Sequence, residues 1–142
     1  MTLVVRIADF DADQAEIRAI RFSVFVDEQQ VPAEMEIDAS DAHCIHLLAA
    51  DDDTPVGTGR IDLAESGKVG RVAVVASRRG QGVGTALMSF VHCVARENAL
   101  DSVWCNAQVS AVPFYEYLGY RITSAEPFDE AGIPHVRMEC AL

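Results

Sequence analysis

The chain has 142 residues, half of them apolar, and 22 carboxylates against 11 basic residues give it a formal net charge of −11. That composition excludes a disordered chain, and the length fits a single domain over residues 1–142 with a buried core. No apolar run reaches the roughly 20 residues of a membrane-spanning helix, Met1-Thr2-Leu3-Val4-Val5-Arg6 lacks the pattern of a signal peptide, and no basic stripe is present for nucleic acid, so a cytoplasmic protein with neither partner is expected.

Leu3 to Ala8 alternates apolar and polar residues, the period of an edge strand. Asp11 and Asp13 then offer N-cap chemistry to a helix with Ile17, Ile20 and Val24 on one face. Glu28 to Ser40 is polar and holds Pro32, which predicts a loop or short helix reaching over a site. Cys44 to Ala50 and Val56 to Leu63 read as strands joined across Asp51-Asp52-Asp53-Thr54-Pro55, a turn sequence. The three aspartates read as a solvated turn, because a calcium loop also needs a spaced glycine and a distal glutamate. Val69 to Val75 reads as a central strand, and the helix after it turns Val83, Leu87, Phe90, Val91 and Val94 inward, with His92 and Cys93 at the surface or core margin. Ser102 to Ala107 is a fifth strand. Ser110 is placed to cap the next helix, with Pro113 in its first turn and Gly119 at its end. Tyr120 to Thr123 and His135 to Cys140 close the chain as strands. The succession predicts a mixed, mainly antiparallel α+β domain with two helices at its centre.

Cys44, Cys93, Cys105 and Cys140 are widely spaced, with no Cys-x-x-Cys pair. They read as buried free thiols rather than zinc ligands or disulfides, and no metal is expected. Lys68 is the only lysine beside ten arginines and twelve aspartates. An acidic, lysine-poor surface suits a protein working in high salt, where screening removes self-repulsion; GC-biased codon usage, which also depletes lysine, is the alternative.

The run Arg78-Arg79-Gly80-Gln81-Gly82-Val83-Gly84-Thr85 carries the chemistry. An apolar strand runs into it and an amphipathic helix runs out. The first N–H groups of a helix lack internal partners and sit at the positive end of its dipole, so such a turn binds phosphate. Glycines let the backbone approach the anion, and arginine can pair with its oxygens. A Walker loop would need a lysine after Gly84, and a dinucleotide fingerprint would need glycine at Thr85, so neither fits.

Arg-Gly-x-Gly-x-Gly after Val72-Ala73-Val74 closely resembles the acyl-CoA loop of the GNAT superfamily of N-acyltransferases. A second stretch resembles that superfamily's other signature, with Ala111, Tyr115, Gly119 and Tyr120 on its positions and Gln108 where most members have asparagine. Arg21, Val24-Phe25-Val26, Glu28-Gln29, Val31-Pro32, Glu34, Asp38, Asp41 and His46, with Ala131-Gly132-Ile133-Pro134-His135, resemble the ElaA-like subgroup. The resemblance implies the GNAT fold and N-acetyl transfer from acetyl-CoA, without a covalent intermediate, to a small-molecule or peptide amine; a non-catalytic acyl-CoA-binding regulator on the same fold is the alternative. A homodimer is left open.

By the same resemblance, the strand before the loop splays at a bulge. Val72, Ala73 and Val74 would run along the pantetheine arm, and the N–H of Val74 or its neighbour would meet the thioester oxygen. Arg79, Gly80, Gln81, Gly82, Val83, Gly84 and Thr85 would hold the pyrophosphate, and Gln108 would help hold the CoA arm. Tyr115 matches the general acid, a phenol with a pKa of about 10 that stays protonated at neutral pH. For the base, Glu28, Glu34, Asp38, His46 and His135 are candidates. His46, between apolar residues, reads better as a core histidine, while Glu28 and His135 are preferred. Asp27, Glu28, Glu34, Glu36, Asp38 and Asp41 are expected to make the acceptor pocket acidic and to attract a cationic amine.

Overall fold

The computed structural model describes residues 2–142. β1 (Leu3–Ala8), β2 (Ile45–Asp51), β3 (Thr54–Asp62), β4 (Lys68–Val74), β5 (Ser102–Gln108), β6 (Arg121–Ile122) and β8 (Ile133–Ala141) form one sheet in the order β1-β2-β3-β4-β5-β8-β6, and β7 (Phe128–Glu130) pairs with β8. Every pairing is antiparallel except β4 with β5. The β2–β3 hairpin turns on Asp52 and Asp53, with φ of 48° and 70°. Both central residues therefore take the left-handed conformation a tight hairpin needs, which aspartate tolerates.

Both faces of the sheet are covered. Leu47, Ala49, Ile61 and Val69 face α3 (Val83–Glu97), which buries Val83, Leu87, Met88, Val91, Val94 and Ala95 against them. On the other face Leu48 and Ala73 meet Ile17 and Ile20 of α1 (Gln14–Arg21) and Val24. β2 therefore reads as a continuous apolar run, with each side chain covered from its own side.

Several local expectations are corrected. Asp13 occupies the N-cap of α1 but makes no capping bond. Its carboxylate is held by Arg6 at 2.8 and 2.9 Å, a charge-assisted pair that outcompetes the cap. Ser110 caps nothing, because it lies inside a 3-10 turn, Val109–Ala111, that precedes α4 (Val112–Tyr117). His92 is buried, with Nε2 2.8 Å from the Tyr120 hydroxyl, whereas Cys93 is exposed. Beyond α1 the chain continues as a π-helix, Phe22–Glu28, followed by the short α2 (Ala33–Glu36) and a 3-10 turn, Ala39–Ala42. The short strand β7 lacks the apolar alternation that marks strands in sequence; all three of its residues are exposed.

Candidate active site

β4 and β5 are parallel neighbours but pair only at Lys68 with Trp104 and Val69 with Cys105. A β-bulge separates them. Thr58 opposes Ala73 and Arg60 opposes Gly70, so β4 carries one extra residue there. Arg71 sits in this bulge with φ +51°, a left-handed conformation that costs a non-glycine residue about 1 kcal/mol. The Val75 N–H donates to the Val56 carbonyl at 3.0 Å, on the β3 side. Strand alternation therefore turns the Val74 N–H to the opposite edge, toward the split. A cleft of about 770 Å³ occupies the split, lined along β4 by every residue from Lys68 to Val74.

The glycine run closes one end of this cleft. Gly80 and Gly82 have φ of +74° and +86°, and a Cβ at either would meet nothing within 4 Å, so the loop surface there is open. Gly84 is a packing glycine, since a Cβ would lie 3.2 Å from Phe114 Cζ. The Ala86 N–H returns to the Gly82 carbonyl at 3.0 Å. The N–H groups of Val83, Gly84 and Thr85 are thus left without an intrahelical acceptor. Arg78, Arg79, Gly80, Gly82, Val83, Gly84 and Thr85 line the cleft. Gln81 does not; its side chain is turned back to the Ser77 carbonyl at 3.3 Å. Both arginines already hold carboxylates, Arg78 that of Asp51 and Arg79 that of Glu28.

Tyr115, Gln108 and His135 face the same space. Tyr115 is wedged edge-on between Phe114 and Tyr120, at centroid distances of 5.2 and 5.4 Å, and its hydroxyl makes no hydrogen bond among the described residues. Burial pushes its phenol well above the ordinary value. Gln108 donates to Gln29 Oε1 at 2.7 Å. His135 lies opposite Gln108 in the β5–β8 register. Its Nδ1 donates to the Ile133 carbonyl at 2.7 Å, which can only accept, and Glu130 Oε2 lies 3.4 Å from Nε2.

Glu28 is not brought to Tyr115. It lies outside the cleft lining, and its hydrogen bonds with Arg79 hold its carboxyl below the usual range. His46 is a core residue, stacked on Phe10 at 4.3 Å with Nε2 2.9 Å from the Asp41 carbonyl. Glu34 is exposed and does not reach the cleft.

The expected free acidic pocket is also absent. Arg21 pairs with Glu36 and, at 2.8 Å, with Asp41. Arg60 reaches Asp38 and Asp41 at 2.8 and 2.7 Å, and Arg71 reaches Asp38 at 3.2 Å. Three guanidiniums thus neutralise three carboxylates beneath α1 and α2. Arg60 and Arg71 went unread in the sequence because the strand pattern absorbed them. The available signal was a charged residue, Arg71, interrupting the apolar run Val69–Val75. His43, Cys44 and Asp62 have donor atoms mutually within 4.8 Å. His43 Nε2 is 3.0 Å from Asp62 Oδ2, and burial pushes the Cys44 thiol up to about 11.

Comparison with known proteins agrees with this geometry. Residues 8–142 match the family model described as the acetyltransferase (GNAT) domain. The uncharacterized N-acetyltransferase YjcF of Bacillus subtilis is 42% identical over 120 residues, 84% of this chain and 86% of that protein. The crystal structure of Escherichia coli ElaA superposes with a TM-score of 0.86 at 27% identity, covering 98% of this chain and 99% of that one. An acyl-CoA N-acyltransferase from Pseudomonas aeruginosa gives 0.82 at 28% identity, with 99% of each chain covered. With the split between β4 and β5 and the glycine turn at its mouth, the matches leave one assignment: the chain belongs to the GNAT acetyltransferase family, in its ElaA-like subgroup.

Proposed function

We propose that this chain transfers an acetyl group from acetyl-CoA directly to a primary amine. The observation that carries the reading is the placement of Tyr115 and the free N-terminus of α3 on one cleft, across a split that exposes the edge of β4. The residues fit the cosubstrate. Gly80 and Gly82 leave room for a pyrophosphate, and the N–H groups of Val83, Gly84 and Thr85 would hold it. Val72, Ala73 and Val74 would flank the pantetheine arm, with the Val74 N–H polarising the thioester carbonyl.

In the reaction, the amine nitrogen bonds to the carbonyl carbon, the carbon–sulfur bond breaks, and the sulfur leaves as a thiolate. Tyr115, whose phenol burial keeps protonated across the neutral range, donates its proton to that sulfur and regains one from solvent. His135 Nε2 takes the proton from the amine. With Nδ1–H fixed on the Ile133 carbonyl, Nε2 carries the lone pair of the neutral ring. Glu28, tied to Arg79, acts on the cofactor side and not as the base.

A thiol-release assay with acetyl-CoA and a panel of amines tests this. Tyr115→Phe is expected to lower turnover by roughly 10²–10⁴-fold with acetyl-CoA affinity retained. Tight CoA binding without turnover on any amine would instead make the chain an acyl-CoA-binding regulator.

A further inference from the structure

The cleft does not share the charge of the chain. Arg60, Lys68, Arg71, Arg78 and Arg79 line it, five of the 11 basic residues, whereas only five of the 22 carboxylates do. Arg78 and Arg79 belong to the glycine-loop end. Arg60, Lys68 and Arg71 lie toward the other end of β4, and they differ in how far their charge is used.

Arg60 gives all three of its hydrogen bonds to carboxylates, those of Asp38 and Asp41. Arg71 does not. Its Nε donates to the Glu36 carbonyl at 3.2 Å, and its Nη2 to the Met35 carbonyl at 3.4 Å and to Asp38 at 3.2 Å, while Nη1 has no acceptor among the described residues. Two of those three acceptors are neutral, and the Glu36 carboxylate stands off at 3.8 Å from Nε. Burial, then the charges of Arg60 and Arg21, depress its pKa ahead of the opposing pull of Asp38 and Glu36, so an added anion would be welcome there. Lys68 has no carboxylate within 4.0 Å among the described residues, and its Nζ rests 5.3 Å from the Trp104 ring centroid. Between them, a Cβ at Gly70 would meet nothing within 4 Å, so the space over β4 is open. Phe25, Val31 and Met35 add an apolar wall to the cleft.

A bare ammonium entering here would face Lys68, which has no carboxylate partner among the described residues, beside the unused Nη1 of Arg71. An acceptor that brings its own anion would pair with them. We infer that the acceptor is an amino carboxylate, whose carboxylate is received by Arg71 Nη1 with Lys68 beside it and whose apolar remainder lies against Phe25, Val31 and Met35. The inference rests on the acetyl-transfer reading of the cleft and names its substrate class. It replaces the cationic amine expected from the sequence.

The test compares matched acceptors on the full chain: leucine with 3-methylbutylamine and leucine methyl ester, and phenylalanine with phenethylamine. Binding is read by calorimetry with CoA present and absent, and kcat/KM by thiol release. The free carboxylates are expected to bind at least about tenfold tighter than their uncharged or decarboxylated partners. Arg71→Gly keeps the left-handed backbone while removing the guanidinium, and Lys68→Met leaves the Met35 and Glu36 contacts untouched. Each should bring the ratio within a pair toward one. Equal affinity across the pairs, or no binding by any member, overturns the inference. CoA binding is measured on its own, so its loss would count against the acetyl-transfer reading and is distinguishable from a lost carboxylate preference.

Discussion

Arg79 and Glu28 meet through two parallel hydrogen bonds, Nη1 to Oε1 at 2.7 Å and Nη2 to Oε2 at 2.8 Å, while Arg79 Nε donates to the Val74 carbonyl at 3.1 Å. This is the fork geometry with which arginine also takes a phosphate. The C-terminal end of the π-helix therefore competes with an incoming pyrophosphate for the same donors. Gln29, the next residue, does the same at Gln108.

Glu28→Gln removes the competing charge and is expected to tighten CoA binding. The pair is partly exposed, with side chains 46% and 35% accessible, so the effect should be modest, about three- to tenfold in Kd by calorimetry. Weaker binding in the variant would show that Glu28 serves to position Arg79 rather than to compete for it.

The glycines of the loop should separate binding from folding. Gly82→Asp introduces a carboxylate where only open space lies, against the N-terminus of α3, and is expected to abolish CoA binding. The left-handed φ of +86° costs this variant about 1 kcal/mol of stability, so the domain should still fold. Gly84→Glu presses on Phe114 and should lower the thermal midpoint much further. Undiminished CoA affinity in Gly82→Asp would remove the loop from the phosphate site.

The buried ion network predicts an acid limb in stability. Hydrogen bonds from Arg60, followed by the charges of Arg60 and Arg71, hold the Asp38 carboxyl far below the usual range. At Asp41 burial opposes ionisation, but the bonds and charges of Arg21 and Arg60 outweigh it. Folded pKa values below the unfolded ones mean that the contribution is complete above the unfolded carboxylate value of about 4 and is lost as pH falls toward the folded values. Unfolding free energy from urea titrations should drop steeply below about pH 4, after a gentler decline that starts near about pH 6.5, because burial holds the His46 and His92 imidazoles below their ordinary value. Asp38→Asn should be less stable at pH 6, with a shallower drop in acid. A slope unchanged by this substitution would take Asp38 out of the network's energetics.

The glycine turn and His135 could be picked out from local order along the chain and Tyr115 from its resemblance to a family signature, and the fold brings all three to one cleft. The strand–turn–helix order places Gly80, Gly82 and the N-terminus of α3, and the Ile133 carbonyl that fixes His135 is two residues away. Pairings between distant segments could not be read. Glu28 and Arg79 are 51 residues apart, and Arg71 and Met35 are 36 apart, so nothing local reveals that the carboxylates of residues 27–41 meet guanidiniums. Counting those carboxylates gave an acidic pocket, and the tertiary fold neutralised it. Asp13 and Ser110 failed as caps for local reasons: Arg6, seven residues upstream, claims the Asp13 carboxylate, and Ser110 lies inside a 3-10 turn.

Thiol reactivity should follow burial rather than cysteine number. All four cysteines are free, with Cys93 exposed, Cys44 half-buried, and Cys105 and Cys140 buried. Burial pushes the thiols of Cys44 and Cys105 up to about 11 and about 12, which suppresses their reactive thiolates. An aromatic disulfide reagent at pH 8 should titrate a single fast thiol, lost in Cys93→Ser, with the others released on unfolding. Two fast equivalents in the native protein would mean that Cys44 is less protected than its packing indicates.

Salt should stabilise the fold, and the placement of the cations says why. Arg21, Arg60, Lys68, Arg71, Arg78 and Arg79 are in the cleft or the network beneath it. Six of the 22 carboxylates lie there too, so elsewhere 16 carboxylates face only five basic residues and the outer surface carries the whole net charge of −11. Molar salt shortens the screening length to about 3 Å and relieves that repulsion. It also weakens exposed pairs such as Arg6–Asp13 and Arg137–Glu139, but each of these contributes at most about 1 kcal/mol, while buried pairs are screened far less. The thermal midpoint is therefore expected to rise by roughly 3–8 °C between dilute buffer and molar potassium chloride, equivalent to about 1–2 kcal/mol. A flat or falling curve would leave the scarcity of lysine to codon composition and not to salt.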